Sequence, residues 1–199
     1  MRMDFSPTRI RNIPATQLCG NFSPGQDACR FLTPYVATTE LLHCWYDHGL
    51  WFDAAQLLAH ALHKRPAIWW VYLVCADRYE GAGERQDAVL CAVERWLREP
   101  DENNRAGVRH AASGCEKRDP RYWLALAVHW CSDAAAIAAG VSESAAPFLY
   151  ARAVAAAVDV AAALPRQAST RDVFYQTALL RGVAIASGDN GRMVAQSVC

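Results

Sequence analysis

Apolar residues recur along this chain at intervals of three and four, the spacing that gathers them on one side of an α-helix. The pattern begins near Thr38. Thr38 or Thr39 is placed to cap "TELLHCWYDHG", and Gly49 is placed to close it. Asp53 stands where an N-cap would, ahead of a second stripe of Leu57, Leu58, Ala61 and Leu62. Pro66 ends that helix and opens the next, since proline suits a first helical turn. From Pro66 to about Tyr79 the chain is apolar nearly all round. Ile68, Trp69, Tyr72, Leu73 and Ala76 make one broad face, which Trp70 and Val74 widen. Such a helix is buried between neighbours. Gly81 and Gly83 then break it.

The second half repeats this punctuation. Glu84 to Arg98 is amphipathic, with Val89, Leu90, Val93, Trp96 and Leu97 inward and Glu94 and Arg98 four apart on the wet side. Pro100 stops it and Asp101 caps a segment over about 102–117, whose apolar face is thin: Val108, Ala111, Ala112 and Cys115. Asp119-Pro120 starts another helix, carrying Trp123, Leu126, Ala127 and Trp130 at helical spacing. After the small, polar linker "AAGVSESAA", Pro147 opens an alanine-rich helix to Leu164, with Arg152 and Asp159 on one exposed line. Ser169 and Asp172 resemble a capping box for a last helix over about 170–187, which Gly188 to Gly191 terminates.

These periods predict an all-α chain of stacked helical hairpins, about seven helices in all, with a solenoid-like stack as one arrangement. "RPAIWW" and "DPRYWL" echo each other, but two copies do not establish a repeat. The boundaries fall at an irregular N-terminal arm (1–36), a helical domain (37–191) and a flexible tail (192–199). Composition agrees with one domain: 199 residues, 53% hydrophobic. Lys+Arg and Asp+Glu are each 20, so the basic surplus of a nucleic-acid binder is missing. The start, "MRMDFSPTRIRNIP", lacks the apolar core of a secretory signal, and no apolar run has the length of a membrane span. The expectation is a cytoplasmic protein that engages neither nucleic acid nor membrane. Its eight cysteines are then expected as reduced, mostly buried thiols.

Candidate chemistry is thin. His60 and His63, three apart, make at most half a zinc site. In "HCWYDH", His43 pairs with Asp47 and Cys44 with His48 at helical spacing, but the two pairs face different ways. No nucleophile elbow or phosphate loop surrounds any Cys or His. We therefore expect no catalytic residues, no metal site and no cofactor. Trp69 and Trp70 are the candidate protein-binding residues. Most tryptophans fill cores, but adjacent residues on a helix cannot both point inward, so one of the two is expected at an edge or a partner.

The run "LWFDAAQLLAHALHKRPAIWWVYLVCADRY", residues 50–79, resembles the signature segment of an uncharacterised bacterial all-helical family. The likeness extends upstream through "PATQLCGNFS" and "LTPYVATTELLHCWYDHGL" and is looser over the second half. It rests on Cys19, on the Leu-Ala-His-Ala-Leu run from Leu58 to Leu62, and on Trp69 with Trp70. The resemblance carries no catalytic motif and implies a link to type VI secretion gene clusters. "HKRPAI", with Pro66 at the helix start, departs from the pattern. Together these features lead us to expect a non-enzymatic adaptor or chaperone-like module whose partner is another protein. The alternatives are an enzyme or toxin with a Cys/His site assembled in space, and a structural subunit of a larger assembly. The oligomeric state is left open. Within "LLAHALHKRPAIWW" we expect a hairpin corner in which Leu58 and Leu62 pack against Trp69 or Leu73, with Trp69 in the core.

Overall fold

Helix ends fall mostly where caps, prolines and glycines put them. The computed structural model describes residues 9–79, 87–132, 137–140, 142, 145–164 and 170–192. Two short helices, α1 (Ala15–Cys19) and α2 (Gln26–Cys29), lie in the N-terminal segment. They are followed by α3 (Thr38–Asp47), α4 (Trp51–Ala61), α5 (Lys64–Tyr79), α6 (Ala88–Arg98), α7 (Glu102–Ala111) and α8 (Pro120–His129). A 3-10 turn (Ala146–Phe148) leads into α9 (Leu149–Ala163), and α10 (Arg171–Ala186) completes the set. The fold is all-α. Among the described residues the sole β feature is an antiparallel bridge between Ile10 and Leu62.

Asp87, Asp101 and Asp119 cap α6, α7 and α8 by accepting from amides of the first turn, which satisfies donors that a helix start leaves open. Gly49 ends α3 in the left-handed region, φ 72°. Two expected caps differ. Asp53 lies inside α4, whose N-cap is Leu50. Its buried carboxylate accepts instead from the Gly25 amide at 2.8 Å, at the start of α2. Thr38 is the first residue of α3, and its hydroxyl donates to the Ile13 carbonyl at 3.2 Å. α10 is capped by Thr170, whose hydroxyl accepts from the Val173 amide. For Asp53 and Thr38 a tertiary neighbour took the place of the local motif. Ser169, Gly81, Gly83 and Cys199 lie outside the described residues.

The core is organised around α9. Alanine at Ala151, Ala153, Ala155, Ala157, Ala161 and Ala162 lets other helices approach it closely, and it packs against α8, α5 and α4. Residues 146–163 are long and apolar enough to cross a membrane, yet 61% of that stretch is buried inside the fold. Its apolarity is thus explained by its central place. α10 also packs on both α4 and α5. A solenoid whose units touch only their neighbours is therefore not the arrangement; the chain closes on a central helix. α8 likewise contacts α9 on one side and α5, α6 and α7 on others. Its most buried face is Leu124, Ala127 and Val128, and Trp123, Leu126 and Trp130 are half-buried.

The N-terminal segment is part of the same core. Ala15, Leu18 and Ala28 are fully buried. The Trp45 indole donates to the Ala28 carbonyl at 3.1 Å, and the Arg11 amide to the Ala61 carbonyl at 2.7 Å.

Candidate functional site

The run at 57–70 does turn a corner, but not as a closed two-helix hairpin. α4 stops at Ala61 because Leu62 is extended and paired with Ile10. α5 begins at Lys64, which leaves Pro66 in its first turn. The two helices make little contact with each other, and both pack on α10. Leu58 and the Trp70 indole meet at Gly182 of α10, where an added Cβ would lie 2.6 Å from Leu58 Cδ2 and 2.9 Å from the Trp70 ring.

The adjacent tryptophans have opposite fates. Trp70 is fully buried and donates through Nε1 to the Ala178 carbonyl at 2.7 Å. The core assignment made for Trp69 belongs to Trp70, because α10 covers the Trp70 side of α5. Trp69 is half-buried and stacks on Tyr72 at 5.2 Å, interplanar angle 17°. Its Nε1 donates to the Asn190 carbonyl at 2.7 Å.

Trp69 lines a groove of about 520 Å³. Pro66 and Leu97 supply its other apolar walls, and Arg9, Arg65, Arg98 and Arg192 surround them with a single carboxylate, Glu94. Each element delivers one part. The N-terminal segment brings Arg9, the first turn of α5 brings Arg65, the last turns of α6 bring Glu94 and Arg98, and the chain after α10 brings Arg192. Arg98 pairs with Glu94 at 2.6 Å, as the i,i+4 spacing predicts. Arg9 donates to the Gly188 carbonyl and Arg65 to the Leu97 carbonyl. Arg192 sits 5.7 Å over the Trp69 ring, a cation–π contact. Arginine and tryptophan are the residue types that anchor protein interfaces. Of the eight lining residues, only Trp69 stood out as a candidate in the sequence. Arg9 and Arg192 come from opposite ends of the chain, and no local signal brings them together.

The histidines do not converge. His63 is exposed. His60 is fully buried, and its Nδ1–H donates to the Gln56 carbonyl at 2.7 Å, which leaves Nε2 unprotonated and without a partner. Phe22 lies 4.9 Å from its ring and Phe148 6.3 Å. Burial pulls its pKa down to about 4, helped by the positive charges of Arg152 and Arg11. Of the pair, His63 is a surface residue and His60 a core one. His48 is exposed, and its Nδ1–H donates to the Cys44 carbonyl at 2.7 Å. Among the described residues no three His, Cys, Asp or Glu side chains are placed to hold a metal.

Four of the thiols are unsuited to nucleophilic work. Burial pushes Cys19 up to about 12 and raises Cys75, Cys44 and Cys115 as well, and only the thiolate attacks. A polar cluster around Arg121 ties helices together. Arg121 pairs with Asp87 and, at 2.6 Å, with Asp119, while the Tyr79 hydroxyl donates to Asp119 at 2.9 Å. Both carboxylates are also helix caps, so the cluster fixes the starts of α6 and α8 against the end of α5.

The model of a family of unknown function, DUF6931, matches residues 41–186. The chain belongs to the DUF6931 family. No curated protein and no solved structure matches it. The family match runs from within α3 to the end of α10. It includes Arg65, Trp69, Glu94, Leu97 and Arg98 of the groove and stops short of Arg9 and Arg192.

Proposed function

We propose that this DUF6931 chain is a non-enzymatic protein-binding module, an adaptor or chaperone-like protein that receives a partner in the Trp69 groove. The observation that carries this is the outward turn of Trp69 among arginines while its neighbour Trp70 fills the core. Trp69 packs partly against the core, and its remaining face borders the groove. The raised pKa values of Cys19, Cys44, Cys75 and Cys115 and the scattered histidines weigh against the rival reading, an enzyme or toxin with a Cys/His site. The resemblance to proteins associated with type VI secretion clusters makes an accessory role in such a system the specific form of the proposal, in the cytoplasm.

Affinity purification tests it. The tagged chain and its Trp69→Ala/Arg192→Glu variant are each expressed in the native host, and the melting temperature of each is recorded. A discrete partner retained by the wild-type chain and lost by a folded variant is the expected result. If every co-purifying protein is retained by the folded variant, the groove is not the binding site and the proposal fails.

A further inference from the structure

We infer that the Trp69 groove takes an acidic peptide segment, its carboxylates meeting the arginines and an apolar side chain resting between Trp69 and Leu97. This rests on the protein-binding reading above and adds the chemistry of the ligand.

Charge is the first argument. The whole chain is neutral, yet the groove holds four arginines and one glutamate, three positive charges in excess. The glutamate is already paired with Arg98. Arg9 and Arg65 donate to carbonyls, which satisfy a proton but do not neutralise a charge. Among the described residues neither these two nor Arg192 has an ion-pair partner. Positive charge is thus gathered at one place on a chain with none to spare.

The second argument concerns where Arg65 stands. α5 opens with Lys64 and Arg65 and has no acidic residue in its first turn. A helix start is the positive end of the macrodipole and favours Asp or Glu there. Lys64 reaches away to the Cys131 carbonyl at 2.9 Å, but helix stability alone would not select Arg65 at that end. Arg65 lines the groove, so an external anion there would meet both its charge and the helix dipole.

The shape selects a peptide. The arginines converge on a space of about 520 Å³, enough for a few side chains. A nucleic-acid binder instead spreads its basic residues in a stripe and has a basic surplus overall. The walls are an indole, a proline and a leucine, which suit an apolar side chain flanked by acids. Guanidinium groups grip carboxylates through paired hydrogen bonds, and arginine clusters are a recurring way to read acidic motifs.

Random dodecapeptides displayed on phage, panned against the full chain, test this directly because they offer every chemistry at once. The Trp69→Ala and Arg65→Glu/Arg192→Glu variants serve as counter-targets, with folding checked by circular dichroism. Expected are peptides enriched in Asp and Glu whose binding weakens about tenfold or more, at least 1.4 kcal/mol, when those acids become Asn and Gln or when the arginines are reversed. Enrichment of neutral apolar peptides that still need Trp69 would overturn the acidic-segment inference and leave the protein-binding reading standing. If no selected peptide depends on Trp69 or the arginines, the inference also fails, and the purification experiment separately decides the broader reading. Decauridylate binding more tightly than the best peptide, with loss on arginine reversal, would overturn it in favour of nucleic acid.

Discussion

Gly182 sits in the middle of α10, where helix propensity alone favours alanine by about 0.8–1.0 kcal/mol. The tertiary structure reverses that sign. A Cβ at 182 would stand 2.6 Å from Leu58 Cδ2 and 2.9 Å from both Cε2 and Nε1 of Trp70. Neither neighbour has room to retreat, since both are fully buried. Moving the indole also strains its 2.7 Å bond to the Ala178 carbonyl on the same helix. Overpacking of this kind costs about 1–3 kcal/mol, and loosening a buried hydrogen bond adds about 1 kcal/mol. After the propensity gain is subtracted, Gly182→Ala should destabilise the chain by about 1–3 kcal/mol. Gly107 in α7 is the control: it too is helical, but a Cβ there meets nothing within 4 Å. Gly107→Ala should therefore stabilise by about 1 kcal/mol. Urea denaturation of both variants gives the two numbers, and for a chain of this size each kcal/mol moves the melting temperature by about 2–4 °C. If Gly182→Ala proved as stabilising as Gly107→Ala, the close approach of α10 to α4 and α5 would be wrong.

Three further outcomes follow from the same packing. Trp70→Ala should cost about 3–5 kcal/mol, and Trp69→Ala no more than about half of that, because only the Trp70 ring is enclosed; equal losses in thermal denaturation would contradict the division between them. His60 is held neutral in the fold with a pKa of about 4, below its unfolded value of about 6.5. The unfolded chain therefore binds the extra proton between those values, and stability falls as pH drops through that window. The loss amounts to about 2 kcal/mol between pH 7 and 5 and about 3 kcal/mol by pH 4. His60→Met should flatten this part of the stability–pH curve, and an unchanged slope would remove His60 as its source. Burial pushes Asp119 up, but its bonds from Arg121 and Tyr79 outweigh that and hold its pKa below the usual value. Its contribution is thus present above about pH 4 and is lost as pH falls through the lower folded value. Asp119→Asn keeps the cap, removes the charge and should cost about 1 kcal/mol at pH 7, given the solvent reaching the cluster; calorimetry showing no change would leave the cluster without a stabilising role.

The helices were legible because their causes are local. Asp101 caps through an amide three residues away, Pro120 sits beside its own cap, and Val93 and Trp96 face inward on a period that any window of α6 displays. Asp53 and Thr38 were misread as caps because their partners, Gly25 and Ile13, are distant in sequence. The candidate site was legible only in its tryptophan. Adjacent residues on a helix diverge by about 100°, so one of Trp69 and Trp70 had to leave the core, and the spacing could not say which.

The choice was made by α10. Its Gly182 admits Trp70 and Leu58 to the same spot, and once α10 covers that side of α5 Trp69, about 100° round the helix, is left at the edge. The arginine groove has the same origin. Arg9 and Arg192 meet Arg65 and Arg98 because the start of the chain pairs with residues 61–63 and the end of α10 returns alongside. Thus the sequence by itself determined that the chain is helical, where most helices begin and end, and that few of its reactive side chains share a neighbourhood along the chain. All of these are set by caps, prolines and a period of 3.6 residues. Only the tertiary structure decided which indole is enclosed, that a neutral chain gathers three excess positive charges in one groove, and that a lone histidine is buried beneath Phe22, because each depends on contacts between segments far apart in the chain.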